Sequence, residues 1–455
     1  MSMLRSAGLF LVLLTGAPAY AHSPDSPNGQ PETGPPEPAE VRPEVDPKQS
    51  ESRPATAAEA TTEGTPASGA EATTAVDPEL AAAAARDAAA SAEPTRLEGL
   101  AAPAAVTPMV QLNPDISFIM NTAFGWFSRR EHLRQGGHAV DENGFVPQAL
   151  ELAASGAVDP YFRFDLYFQI MHLHLEEAFL TSLSLPGGLQ ARAGYFNVAF
   201  GRQNPQHLHT WHFVNPPLSH TRFMSEEHFS GTGAELSLLL PLPWYALILA
   251  EVMTPSAATA FRSATFGTIE LNGNRRTDGL EDFLYVGRME NFLELSADWS
   301  LLVAASAAFG QSPYVPDNRA ALYGGDLYLK WRPLRSGGNV AVALTVEAVL
   351  RDTQVPRDSV RDGGGYVQLD VQMSRRFVAG VRGDLTDLIR GPSPNPTKIP
   401  GRQTRGSFAL TFLPTHFSKL RLQADVTRAE AHGRTVVAVF LQTEVSAGEH
   451  GAHRF

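Results

Sequence analysis

The chain has 455 residues, a formal charge of −12 and no cysteine; 43% of it is hydrophobic and its mean hydropathy is −0.14. Without cysteine there is no disulfide, no thiolate zinc site and no lipid attached at a lipobox. Such a composition suggests a soluble protein with one class excepted, because a membrane barrel alternates lipid-facing and lumen-facing residues and is never apolar on average. The length accommodates two or three ordinary domains, or one large barrel behind a tail.

Arg5 opens a short positive region, Leu9–Leu14 is apolar, and Gly16 and Pro18 precede Ala19-Tyr20-Ala21, an A-x-A cleavage site. Residues 1–21 therefore read as a cleaved signal peptide, too short for a permanent membrane helix. Residues 22–108 are rich in Pro, Ala, Glu, Thr and Ser and have no aromatic residue. They cannot bury enough apolar surface to offset the entropy of ordering, so a disordered periplasmic tail is expected. The tail carries fifteen acidic and five basic residues, which leaves 109–455 at about −3. The acidity of the chain thus says little about what its folded part binds, and no nucleic-acid partner is expected.

From residue 109 onward, short segments alternate. Phe162, Phe164, Leu166 and Phe168 share one face, and Arg163, Asp165, Tyr167 and Gln169 the other. Leu420–Thr427 repeats the pattern, with Arg421, Gln423, Asp425 and Thr427 on its polar face. Sixteen strands are predicted, near 114–127, 145–156, 161–171, 174–185, 189–201, 232–241, 244–253 and 281–294, then 300–309, 321–332, 340–351, 365–374, 377–386, 404–412, 419–428 and 435–446. Every second connection is tight: Ala157–Pro160, Pro186–Gly188, Pro241–Pro243, Ser296–Asp298, Pro333–Gly338, Arg375–Arg376 and Pro414–His416. Most others are long and polar, including 128–144, 202–231, 254–280, 352–364 and 387–403.

That parity is the pattern of an outer-membrane barrel, with short periplasmic turns and long outer loops. Tyr161, Trp244, Trp299, Trp331, Phe377 and Phe417 each lie beside a short turn, as an interfacial aromatic girdle requires. The apolar run Leu238–Ala250 is interrupted by Pro241 and Pro243, so it reads as a hairpin and not as a membrane helix. The expected fold is all-β: a transmembrane antiparallel barrel of about sixteen strands over 109–455, behind the tail.

Asn113-Pro114-Asp115-Ile116-Ser117-Phe118, Glu176-Glu177-Ala178-Phe179, Ser182-Leu183-Ser184-Leu185-Pro186, Phe200-Gly201-Arg202-Gln203-Asn204-Pro205-Gln206-His207 and the closing His450-Gly451-Ala452-His453-Arg454-Phe455 carry a resemblance over roughly 112–455. The chain is similar to Gram-negative general and phosphate-selective porins of the O and P type. More closely, it resembles a group of uncharacterised, zinc-regulated outer-membrane barrels. Some of these are labelled TonB-dependent receptors, but this chain has no plug-sized folded domain and too few residues for 22 strands. The resemblance implies residence in the bacterial outer membrane among its lipids, assembly by the barrel-assembly machinery through Phe455, and a homotrimer, the state porins commonly adopt. It also implies that the third outer loop, 202–231, folds inward and narrows the pore.

That stretch holds His207, His209, His212, His220 and His228, together with Trp211, Glu226 and Glu227. Inside a pore its charges act where ions are least screened. Arg202 and Arg222 favour anions and Glu226 and Glu227 cations, so weak charge preference is expected at pH 7. Arg163, Asp165, Asp326, Lys330, Glu347, Asp370, Arg382, Asp384, Arg421 and Asp425 are the expected lumen-facing charges, either lining water or bracing the wall as ion pairs. His207, His209, His212, His220, Glu226 and His228 are candidate zinc ligands, since imidazole and carboxylate suit zinc, although a loop sets no diagnostic spacing. His172, His174, Glu176 and Glu177 form a second polar cluster, read as solvated or at the rim.

Ser219-His220 and His416…Ser418 lack a partner to orient them, and no phosphate loop follows a strand, so no enzyme activity is expected. The leading reading is a passive channel for small hydrophilic solutes, with no required cofactor. The alternative is a zinc-linked uptake or binding barrel, and a membrane hydrolase ranks third.

Overall fold

The computed structural model describes residues 114–129, 136–171, 173–257, 259–261, 279–313, 318–337, 339–355, 358–390, 401–430 and 433–448. The signal peptide, the tail, His172, His450, His453 and Phe455 lie outside the described residues.

Sixteen strands form: β1 (Asp115–Phe127), β2 (Gly144–Ala157), β3 (Phe162–Gln169), β4 (His174–Ser182), β5 (Leu189–Asn197), β6 (Ser230–Leu239), β7 (Tyr245–Ala257) and β8 (Leu284–Ser296) in the first half. The second half holds β9 (Trp299–Gln311), β10 (Arg319–Trp331), β11 (Ala341–Val355), β12 (Asp358–Gln372), β13 (Phe377–Arg390), β14 (Gln403–Thr415), β15 (Ser418–Ala429) and β16 (Arg434–Gly448). Each pairs antiparallel with its sequence neighbours, and β1 pairs with β16 from Ser117↔Gly448 to Phe127↔Ala438, closing the barrel. Closure leaves no unpaired edge, which is what allows strands to lie in lipid.

Burial runs inside out. On β15, Arg421, Gln423 and Asp425 are 1%, 0% and 0% exposed, whereas Leu422 and Val426 are 50% and 52% exposed. A protein surrounded by water would invert this pattern, so the outward apolar face is a lipid face. Tyr161, Trp244, Trp299, Phe377 and Phe417 are exposed near the short-turn end, and Trp299 packs against Trp331 there.

Two of the register shifts in the wall bear on the interior. Asn121 opposes Ala149 and Thr122 opposes Pro147, leaving Gln148 as the extra residue of β2; the irregularity tolerates a proline within a strand. Tyr167 opposes Glu177 and Phe168 opposes Leu175, which makes Glu176 the extra residue of β4. Both Glu176 and Glu177 are consequently buried.

Most of 352–364, expected as a long loop, is strand instead, because β11 runs to Val355 and β12 starts at Asp358; two other predicted boundaries move for one reason. The fifth strand was expected to run to 201, but β5 ends at Asn197, and β6 resumes at Ser230. Between them the chain leaves the wall and turns into the barrel. It carries a short 3₁₀ turn at Leu208–Thr210 and a helix, α1 (Leu218–Phe223), neither anticipated in a stretch read as plain loop. Pro216-Pro217 ahead of α1 restricts the backbone where the helix starts.

Candidate functional site

The segment 198–229 lies against the inward faces of β11 to β15. Its neck is closed by Val198 N–H donating to Phe229 C=O at 2.8 Å. Asn204, fully buried, donates from Nδ2 to the carbonyls of Val198 and Phe229, both at 2.8 Å. Its Oδ1 accepts the Phe229 N–H at 2.8 Å and faces His220 Nε2 at 3.1 Å. Every hydrogen-bonding position of this amide is thus engaged, three in pinning the two ends of the segment together and one in holding α1.

Wall charges hold the segment along its length. Glu347 on β11 accepts the backbone N–H of Arg202 and Gln203, each at 3.1 Å. Asp384 on β13 accepts the N–H of Leu218, the first residue of α1, at 3.0 Å, where the helix dipole favours an anion. Arg382 donates to Asn215 through its carbonyl (3.0 Å) and side chain (2.9 Å). On β15, Gln423 accepts the Val214 N–H, Asp425 accepts Asn215 Nδ2 at 2.7 Å, and Arg421 donates to Trp211 C=O at 2.6 Å. Lys419, also on β15, donates to His209 C=O at 2.8 Å. Gln148, turned inward by its bulge, donates to Val214 C=O at 3.2 Å.

Apolar packing fixes the rest. Phe200, Phe223, Met224 and Phe229 form a dry cluster with inward-facing Val286, Ala308, Leu322 and Val349. A Cβ on Gly324 would lie 2.8 Å from the Phe200 ring, and one on Gly380 3.1 Å from that of Phe213. Glycine at these inward positions lets the loop aromatics reach the wall backbone.

The expected pore charges all face inward, but most do not line open water. Asp165, Asp326, Glu347, Asp370, Arg382, Asp384, Arg421 and Asp425 are buried, and several of them grip the segment as above. Asp326 instead pairs with Arg288 at 2.7 Å, a wall residue that went unnoticed in the sequence. Arg163 remains half exposed, and Arg202 and Lys330 are partly accessible, Arg202 lying 3.8 Å above the Tyr328 ring. Arg222 is buried between Asp387 at 2.6 Å and Asp362 at 3.2 Å, so its charge is matched inside the protein. Glu226 and Glu227 stay partly exposed, Glu227 beside His174 at 3.8 Å, near the long-loop end.

The six candidate ligands do not converge. His212 pairs with Asp370 on β12 at 3.0 Å, and His220 is engaged by Asn204. The carbonyl of Glu226 accepts the Gly137 N–H, drawing the connection before β2 against the segment. His207, His209 and His228 gather elsewhere, with His138. The expectation of a solvated cluster at Glu176 and Glu177 is overturned, because each is 6% exposed and both reach His207, at 3.3 Å and 2.7 Å. The sequence signal that was available is the Glu176-Glu177 pair itself, since two adjacent carboxylates in an alternating strand require either a bulge or an exposed face.

Burial alone would lower the His207 pKa, but Glu151, Glu176 and Glu177 outweigh it and hold it well above the ordinary histidine value. Burial lowers His220 to about 4. Burial, with the neighbouring charge of His207, lowers His228 to about 3. Ser219 and His220 are both buried, and His220 Nε2 is engaged by Asn204.

No family model matches the chain. An uncharacterized protein of Aquifex aeolicus (strain VF5) is 29% identical over 383 residues, covering 75% of this chain and 80% of that one. Among solved structures, the anion-selective porin from Comamonas acidovorans is similar with a TM-score of 0.48 and 7% identity, over 74% of this chain and 99% of that one. Pseudomonas putida OprB, in its high-pH structure, gives a TM-score of 0.46 at 9% identity over 74% and 94%. The outer membrane channel DcaP of Acinetobacter baumannii gives 0.46 at 8% over 73% and 97%.

Proposed function

We propose that this chain is an outer-membrane channel for small hydrophilic solutes, with its permeability set by the segment 198–229. One observation carries the reading: an apolar-outside, polar-inside closed barrel with a 32-residue excursion hydrogen-bonded to its inward side chains rather than extended beyond the rim. A loop held in this way leaves a solute only the space beside it, so the charges still reached by water there decide what passes. Those on the short-turn side are Arg202 and Lys330, Arg163, which Asp165 partly matches at 3.0 Å, and, on the same face of β8, Glu290, paired with Arg288, and the exposed Glu294. Arg222 contributes little because Asp362 and Asp387 match it. The balance departs from the near-neutral sum expected from composition and favours anions.

The leader at 1–21 would deliver the chain to the periplasm, and the tail at 22–108 would remain there. Conductance in planar bilayers tests the channel reading. The full chain is expected to give small, discrete openings, and deletion of 205–228 to raise unit conductance severalfold. A deletion variant that still closes its barrel and conducts no more than the full chain would refute the role assigned to the segment.

A further inference from the structure

Apart from the anchors on β11 to β15, a second cluster forms where β2, β3, β4 and the inward segment meet. His207 Nε2 lies 2.7 Å from Glu177 Oε2. On the other side of the ring, Nδ1 lies 3.3 Å from Glu176 Oε2 and 3.8 Å from Glu151 Oε2. The ligand atoms of Glu151, Glu176 and His207 all fall within 4.8 Å of one another, and all three residues are buried. The ring is held by stacking on Tyr167 of β3, centroids 4.3 Å apart. Glu176 is oriented by Gln169 Nε2 at 3.4 Å.

The arrangement is that of a metal-binding histidine with its supporting carboxylate. With a metal ion in place of the Nδ1 proton, an Nε2–H donated to Glu177 would fix the tautomer and leave the Nδ1 lone pair facing two carboxylate oxygens. Atoms so close together in a buried place need a positive charge among them, either a proton on His207 or a metal ion; His209 Nδ1 also lies 3.5 Å from Glu151 Oε2. Among the described residues, no lysine or arginine pairs with Glu176 or Glu177 within 4.0 Å; their charged partners are His207 and, at 3.7 Å, His138.

A separate observation points to the same place. His228 is 6% exposed and directs Nδ1 to the Asn204 carbonyl at 3.3 Å, while its Nε2 has no hydrogen-bond partner. Its ring lies 5.7 Å from that of His207 and 5.9 Å from that of His138. A buried imidazole nitrogen without a hydrogen-bond partner, on a ring beside this cluster, is an independent mark of a ligand position.

We propose that Glu151, Glu176 and His207 bind a divalent transition-metal ion, clamping the inward segment to β2 and β4. Two carboxylates and one imidazole suit zinc or manganese, and would leave coordination positions for water or His228. Because the ligands come from the wall and from the segment, the ion tightens the seating of the segment. Binding itself is independent of the channel reading; only its effect on current rests on that reading.

Calorimetric titration of the full chain in detergent with zinc chloride, and separately with manganese chloride, tests the proposal. One ion per chain is expected, with affinity falling at least about 100-fold in a Glu151→Gln, Glu176→Gln variant. His174→Ala, which removes an exposed imidazole, should bind as the native chain does. Barrel closure in each variant is checked by its heat-dependent mobility on a gel, and either single exchange serves if the double one fails to close. Absence of binding to the native chain means that a proton on His207 fills the position, and overturns the proposal. Equal binding by the glutamine variants overturns it as well, by assigning the ion to other histidines. Because binding is read by heat, it stands or falls separately from any bilayer result.

Discussion

Asn204→Ala separates the seating of the inward segment from the stability of the wall. The native amide is fully buried and makes four contacts, two given to the Val198 and Phe229 carbonyls and two taken from Phe229 N–H and His220 Nε2. Phe229 C=O keeps a donor in the variant, because Val198 N–H also reaches it. The Phe229 N–H and the His220 Nε2–H are left stranded in a dry place, at about 1–3 kcal/mol each. The seated arrangement should therefore weaken by about 2–6 kcal/mol, a shift of at least roughly 30-fold between seated and released segment. No strand pairing involves Asn204, so the wall should not respond. Amide hydrogen exchange reads both parts at once: protection should fall by that factor from 198 to 229 and stay unchanged in β9 to β15. In bilayers the same variant should flicker between current levels. Unchanged exchange in the segment, or equal loss throughout the barrel, would refute the reasoning.

Two further outcomes follow from the loop chemistry. Burial holds His220 neutral, with its pKa lowered to about 4, against about 6.5 once released into water. The stabilisation it gives the seated state is therefore complete above pH 6.5 and declines as pH falls from 6.5 towards 4, by about 3 kcal/mol in all. His228 adds in the same direction from pH 6.5 down to about 3; His207, whose pKa is raised, opposes this only above pH 6.5, where seating gains as its proton binds. Channels recorded at pH 4.5 should open more often than at pH 7.5, and His220→Gln should remove part of that difference; identical records at both pH values would contradict it. For selectivity, Lys330→Glu reverses one of the accessible charges beside Arg202 and should move the permeability ratio towards cations by roughly fivefold, as expected for about 1 kcal/mol at water-like screening. Reversal potentials in a salt gradient measure this, and an unmoved potential counts against anion preference at that position.

How far the sequence could be read depends on the range of the forces involved. All sixteen strands were legible because a membrane barrel writes its pattern locally, with every second side chain in lipid and every second connection short. The His-rich stretch was also visible as the one long break of unusual composition. What it touches was not visible. Arg382 meets Asn215 across 167 positions of sequence, and Gln423 meets Val214 across 209. No periodicity connects residues so far apart.

The same limit explains the corrections. Arg222 was assigned to the pore by its charge, yet Asp362 and Asp387 enclose it from two other strands. Glu176 and Glu177 read as solvated or at the rim in the sequence, whereas a one-residue bulge against Tyr167 and Phe168 buries both side by side. By itself, then, the sequence determined the wall, since facing is settled residue by residue through the solvent each side meets. The tertiary structure alone decided the interior, where closing the barrel brings β2, β4 and β11 to β15 around one segment and lets buried charges choose partners that lie nowhere near them along the chain.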